Sequence, residues 1–318
     1  MLCILSATER KARGPVSVVI LTRNSARTLR QCLDGLEASR MKPAEVLVVD
    51  GGSTDETLNI VREHSSSLNM RVLYDGGRGL GYARDVGWRG TLASSGYVAM
   101  VDSDVVVDPG FFGSAIRIMD EDRGLGALAG KLKSECEERG LTAKFQVRNL
   151  SMHLHMKDSP YPVQVPSVHT AFTVFRRRAL EEVGGFSSSY RLAKEDSYIS
   201  FRLRERGYRL SLLNVYARHL ETGRRFWRVN FRYGRSYAVI ARDFPGQAPL
   251  WTVKNVVYVA AVFLPFLQPF VMARYFRRYL KEAGLPASES LEMASMEAVR
   301  QGLRSSGMLY QFLKGGVD

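Results

Sequence analysis

Two aspartates one residue apart, Asp102 and Asp104, close the apolar run Tyr97-Val-Ala-Met-Val of a 318-residue chain. In an extended segment side chains at i and i+2 share a face, so both carboxylates can address one divalent cation beyond a strand end. Such a cation suits a diphosphate, whose charge must be neutralised before it departs. Aspartates also punctuate strand ends as turn formers, and the pair alone does not decide between metal site and turn. A second acidic pair, Glu195 and Asp196, follows Lys194 where a helix is expected to begin. A helix N-terminus favours the ionised carboxylate, which can serve as a general base toward a hydroxyl. The two side chains point about 100° apart around a helix, so only one of them can sit on an acceptor.

The elements that must position these groups are legible upstream. Residues 16–21 and 45–50 are apolar, β-branched runs of the kind buried in a parallel sheet. The first leads into Thr22-Arg23-Asn24-Ser25 and a helical pattern through Leu29, Cys32, Leu33 and Leu36. The second ends at Asp50 and enters Gly51-Gly52-Ser53-Thr54-Asp55. There the glycines permit a tight turn, and Ser53 or Thr54 is expected to cap a helix starting near Asp55. Asp50 can hydrogen-bond a nucleotide's base or ribose, as strand-end acids do in dinucleotide sites, or it can cap the turn; its position allows both.

With these motifs in order, the chain resembles family 2 glycosyltransferases with the GT-A fold over roughly residues 14–240. The resemblance rests on the strand, Asp50 and the following turn, Gly79-Leu-Gly-Tyr-Ala-Arg84-Asp-Val-Gly87, and Asp102-Ser103-Asp104. It continues through His169-Thr-Ala-Phe-Thr-Val-Phe-Arg, Gly184-Gly185-Phe186, and Lys194-Glu195-Asp196. It implies a Rossmann-like mixed sheet flanked by helices, with the donor nucleotide among Thr22, Arg23, Asn24, Asp50, Gly52, Arg84, Asp102 and Ser103. A solvent-exposed helical arginine is the rival reading of Arg84. By motif position Asp196 becomes the base of an inverting transfer. Mg2+ or Mn2+ is assigned to Asp102, Asp104 and His219, the last falling where relatives place a histidine, although an isolated histidine can equally be structural. Glu195, Arg225 and Trp227 are assigned to the acceptor and diphosphate. Polymer-forming relatives carry Q-x-x-R-W about thirty residues after the acidic pair; residues 222–228 lack its glutamine and place a phenylalanine between Arg225 and Trp227, so one sugar per reaction is expected.

Charge and hydropathy then concern the remainder. The formal net charge is +13, and residues 221–280 hold ten basic residues against Glu221 and Asp243. They flank an uncharged stretch, residues 255–273, which as a helix would nearly match a ~30 Å hydrocarbon layer. A buried core helix is the alternative. A helix through Phe226, Val229, Tyr233 and Tyr237 with arginines on its flanks reads as lying in a lipid headgroup layer, in preference to nucleic acid. Pro265 and Pro269 interrupt the apolar stretch, and both flanks are basic, so a bent or re-entrant element is expected, with the amphipathic tail 287–304 on the cytoplasmic side. Three cysteines without paired spacing argue against disulfides and structural zinc, and no signal peptide is read at the N-terminus.

The expected organisation is a GT-A domain over 1–222, with a nucleotide-sugar half (14–108) and an acceptor half (109–222), followed by a membrane-associated helical region over 223–318. The expected activity is metal-dependent, inverting transfer of mannose or glucose from GDP-mannose or UDP-glucose to a polyprenyl- or dolichyl-linked acceptor at the cytoplasmic membrane face. A nucleotidyltransferase is disfavoured because Thr22-Arg23-Asn24-Ser25 is not a glycine-rich phosphate loop. A non-catalytic scaffold on the same fold should have lost Asp104 or Asp196, and both are present.

Overall fold

The computed structural model describes residues 15–136, 140–146, 159, 162–221, 226–245, 268–281 and 284–314. β1 (Val16–Thr22), β2 (Glu45–Asp50) and β4 (Tyr97–Asp102) are buried along almost their whole length, as the unbroken apolar runs require. β1 pairs in parallel with both β2 and β4, and β2 with β3 (Met70–Tyr74). The crossovers are α1 (Ala26–Glu37), α2 (Thr57–His64) and α3 (Leu80–Gly90). Beyond β4 the sheet turns mixed through β5 (Val105–Val106), β6 (Leu125–Cys136), β7 (Val163–Gln164), β8 (Phe172–Arg176) and β9 (Arg209–Glu221). Its order is β3-β2-β1-β4-β8-β6-β9-β5, with β7 on β9. One sheet therefore runs across the boundary expected near residue 108.

Alternation along the strands sends Val18 and Ile20 to one face and Val19 to the other. The first face packs under α1, α2 and α4 (Phe111–Glu121). The second packs under α3, α5 (Arg177–Val183) and α6 (Glu195–Glu205). Gly87 lets α3 press on β1, since a side chain there would collide with Val19.

Three further helices, α7 (Phe226–Asp243), α8 (Gln268–Lys281) and α9 (Ala287–Lys314), form a separate apolar cluster with Phe145, Phe226, Tyr279 and Met293. The lipid-facing reading of α7 does not extend to Phe226, which is 2 % exposed and edge-on to Phe145, whereas Tyr233 on the same stripe stays exposed. The tail is likewise packed, because Gly234 and Gly307 bring the α7 and α9 backbones into direct contact, each facing a carbonyl of the other helix. Amphipathicity alone does not distinguish a lipid surface from a protein one. Among the described residues no helix is long and apolar enough to cross a membrane. Most of the stretch 255–273, its re-entrant reading, and Arg225 lie outside the described residues.

Candidate active site

The strand-end loops are bonded to one another. Asp50, 1 % exposed, accepts from Thr22 Oγ1 at 3.1 Å, from the Gly52 and Ser53 amides at 3.0 and 2.9 Å, and from Ser53 Oγ at 2.5 Å. Both its oxygens hold the turn, which is the capping role that its position allows. Gly52 makes that turn at φ +83°. Asn24, itself at φ 53°, receives the Thr54 amide at 2.8 Å while its own amide donates to Ser53 Oγ at 2.9 Å. Ser53 and Thr54 thus latch the first loop and do not cap α2. Asp55 does the capping, accepting from the Thr57 amide at 3.0 Å and from the Ala26 amide of α1 at 3.2 Å. Arg23 is exposed above Gly51, and Ser103 donates to Ser25 Oγ at 3.0 Å.

β4 ends at Asp102, and Asp104 lies in the turn to β5, so the shared face expected of an extended D-x-D does not form. The two carboxylates have different partners. The register of β5 on β9 sets His219 opposite Val105, and this brings His219 Nε2 to 3.4 Å from Asp104 Oδ1. Asp102 Oδ1 instead receives Arg84 Nη2 at 2.8 Å.

Arg84 is the centre of the arrangement. It is 3 % exposed, and its Nε donates to Glu195 Oε1 at 3.1 Å, so one guanidinium joins the first acidic motif to the second. Burial excludes the solvent-exposed reading of Arg84, and Glu195 Oε1 also accepts from Thr170 Oγ1 at 3.2 Å, so that oxygen is engaged within the protein. Nη1 of Arg84 is buried and has no hydrogen-bond partner. Burial would lower the arginine's pKa, but the charges of Asp102 and Glu195 outweigh it and raise it. Burial also opposes ionisation of Asp102, yet the Arg84 charge and hydrogen bond hold that carboxyl below its usual range. Glu195, deeper, is pushed up by burial against the pull of Arg84.

The glycines before Arg84 serve this junction. Leu80 and Gly81 amides donate to the carbonyls of Arg191 and Tyr190 at 2.9 and 3.0 Å. A Cβ on Gly79 would lie 2.6 Å from the Arg191 Cα, and one on Gly81 would land on the Ser187 carbonyl. The glycine-rich segment is therefore a docking strip for the loop that delivers α6. Lys194 enters that helix at φ 74°, and Asp196, half-buried on its first turn, accepts from the Ser197 amide at 2.6 Å through Oδ1. Trp227 is exposed at the start of α7, edge-on to Phe226.

His169 was legible only as part of a strand motif, yet it sits where the charges of Asp102, Asp196 and His219 are all felt. Its Nε2 meets the Gly130 carbonyl at 3.0 Å, its Nδ1 is buried without a partner, and burial keeps it below the usual imidazole range. Asp34, Glu37 and His64 are the one cluster of three potential metal ligands among the described residues. Asp34 lies roughly 12 Å along α1 from its N-terminal end, and both His64 nitrogens are engaged, by the Ile60 carbonyl and by Asp34. That cluster is an ion pair tying α1 to α2.

Residues 17–184, more than half of the chain, match the model of glycosyl transferase family 2. The chain belongs to that family. Among curated proteins it is 23% identical over 235 residues to poly-beta-1,6-N-acetyl-D-glucosamine synthase of Staphylococcus aureus, an alignment that takes in 72% of this chain and 56% of the synthase. The chain thus spans little more than half the length of such curated relatives. Among solved structures, the mannosyltransferase PcManGT from Pyrobaculum calidifontis, in complex with GDP-Man and Mn2+, superposes with a TM-score of 0.63 at 20% identity, covering 96% of this chain and 88% of that one. TarS 1-349 of S. aureus in complex with UDP gives 0.53 at 19% identity, covering 95% and 92%. These likenesses show the GT-A arrangement of sheet and helices.

Proposed function

We propose that this family 2 glycosyltransferase moves one hexose, mannose or glucose, from a nucleotide-diphosphate donor to a lipid-linked acceptor with inversion at the anomeric carbon. The observation that carries the reading is the Arg84 bridge, which fixes the donor-side carboxylate Asp102 and the helix bearing Asp196 in one site. Asp196 takes the proton of the attacking hydroxyl, its Oδ1 steadied by the Ser197 amide. Arg84 keeps Asp102 ionised and α6 docked, and the latched loops of Asn24, Asp50 and Ser53 present a rigid floor to the nucleotide.

A divalent metal is in keeping with the family, and the ligand types suit it: Asp104 and His219 are 3.4 Å apart, and Asp102, held by Arg84 through Oδ1, would have to turn its other oxygen toward them to complete the set. Mg2+ or Mn2+ held there would neutralise the departing diphosphate. The Mn2+ and GDP-Man carried by the Pyrobaculum mannosyltransferase support a divalent metal and a GDP-mannose donor, while the UDP carried by TarS supports a uridine nucleotide, of which UDP-glucose is the proposed case.

A membrane-held acceptor is supported by the apolar side chains that the C-terminal helices leave exposed after packing on one another, and its cytoplasmic side is part of the same proposal. Trp227, Phe270, Leu280, Leu309, Phe312 and Leu313 are all exposed there, on a strongly basic region. The test is a panel of GDP- and UDP-sugars with Mn2+ and a polyprenyl phosphate or lipid-linked glycan in vesicles, reading nucleotide diphosphate release and the anomeric configuration of the product. Retention of configuration, or release only without sugar transfer, rejects the reading.

A further inference from the structure

Two cations, Lys194 and Arg304, meet where α6, α7 and α9 converge; Lys194 feels the charge of Asp196 and Arg304 that of Glu297, at a distance. Lys194, at the entry of α6, lies over the ring of Tyr237 at 4.6 Å and near that of Tyr233 at 5.9 Å. Arg304, from the middle of α9, lies over Tyr233 at 5.4 Å and donates through Nε to Asn230 Oδ1 at 3.0 Å. Among the described residues neither cation has a carboxylate within ion-pair distance, whereas Arg300, one turn before Arg304, is paired with Glu297 at 2.7 Å. The three elements therefore place two positive charges against two phenol rings. The close α7–α9 contact at Gly234 and Gly307 fixes Arg304 there, since the Arg304 carbonyl itself abuts Gly234. Lys194 is held in a left-handed conformation, uncommon for a side-chain-bearing residue and often associated with functional positions.

The side of the site is given by the charges these groups feel. Lys194 senses Asp196, Arg304 and the two tyrosines, whereas Asp102 senses Arg84, His219 and His169. Lys194 thus flanks the proposed base and not the carboxylates of the donor side, and Arg304 joins it through the shared ring of Tyr233. Burial of Tyr237 is outweighed by Lys194 and Arg304, which hold its hydroxyl below the usual phenol range, as an excess of positive charge would.

We propose that Lys194 and Arg304, with Tyr233 and Tyr237, bind a phosphate group of the acceptor, so that the substrate presents a phosphate as a handle and a separate hydroxyl to Asp196. This rests on the reading of Asp196 as the base and narrows the acceptor to a lipid-linked glycan or other phosphate ester with a free hydroxyl: the oxygen of a polyprenyl monophosphate that attacked directly would already be anionic and would need no base. Charge-assisted hydrogen bonds from the guanidinium and ammonium supply the affinity, and the arginine's fork sets the phosphate's orientation.

The experiment titrates inorganic phosphate into the full chain by calorimetry, without donor. Phosphate should bind, and Arg304→Gln or Lys194→Gln should weaken binding roughly tenfold or more, while Arg304→Lys should retain most of it and keep the wild-type melting temperature. Donor nucleotide affinity should be the same in all four proteins. Vesicles with and without polyprenyl phosphate, and a soluble glycosyl phosphate, then separate a lipid headgroup from a free phosphate ester: the source is whichever arm loses affinity in Arg304→Gln. Absence of phosphate binding, or equal binding by wild type, Arg304→Gln and Lys194→Gln, overturns the proposal. Because no turnover is measured, failure here is distinct from failure of the proposed transfer, which would appear as full activity in Asp196→Asn.

Discussion

Replacing Arg84 by methionine keeps the length of the side chain and removes the charge that Asp102 and Glu195 share. The two contacts do not weigh equally. The Asp102 side chain is 35 % exposed, and water and salt screen its loss to ~1 kcal/mol or less. The Glu195 side chain is 6 % exposed, and a buried carboxylate deprived of its partner costs about 3–5 kcal/mol. The sum is dominated by Glu195, which gives the loss a pH signature. Burial raises the Glu195 carboxyl above the ordinary value of 4.5, and a group so raised stabilises the fold below that value and loses this contribution as pH rises through its folded pKa. Arg84 opposes that rise, so its removal should matter less near pH 4.5, below the raised pKa of Glu195, than at pH 8. Urea denaturation of wild type and variant at both pH values measures this. Adding Glu195→Gln to Arg84→Met should restore all but about 1 kcal/mol at pH 8, since the neutral amide can still accept from Thr170. A loss of the same size at both pH values, or a double variant no better than the single one, would refute the account of Arg84 as a buried counter-charge.

Asp196→Asn keeps shape but cannot take a proton, so transfer should fall roughly 10²–10⁴-fold with donor affinity unchanged; collapse of donor binding in a titration would make Asp196 a donor-side residue. Asp104→Asn should lower turnover by orders of magnitude and raise the Mn2+ concentration needed for half-maximal activity, with the melting temperature preserved because the residue lies in a surface turn; full activity in EDTA would rule out the metal. Gly81→Ala places a methyl on the Ser187 carbonyl and should destabilise by about 1–3 kcal/mol or more while lowering activity through displacement of α6; an unchanged denaturation midpoint would show that the docking strip tolerates a side chain.

The buried strands and their alternation were legible because β1, β2 and β4 are apolar runs bounded by turn residues, and local pattern reports local structure. Asp196 at the first turn of a helix was legible for the same reason. Arg84 was not, because its decisive partner is 111 residues away and periodicity carries no information about that separation. The glycines of residues 79–81 were seen, but their purpose depends on a backbone approaching from residues 187–191. The apolar stripe of α7 was legible as a stripe, but not that its first residue, Phe226, would pack on Phe145, since that partner lies far upstream in the chain. Arg304 lies beyond the span of the resemblance and in a helix whose pattern records only packing, so nothing in its neighbourhood marked it.

The reciprocal bonds between Asn24 and the Ser53–Thr54 loop have a consequence for how such enzymes can be recombined. A graft that takes the loop after β1 from one relative and the loop after β2 from another would break a two-way fit, leaving an asparagine in a left-handed conformation without the amide and hydroxyl that hold it there. The two loops form one exchangeable cassette, and a chimera should keep its melting temperature only when both are taken from the same relative.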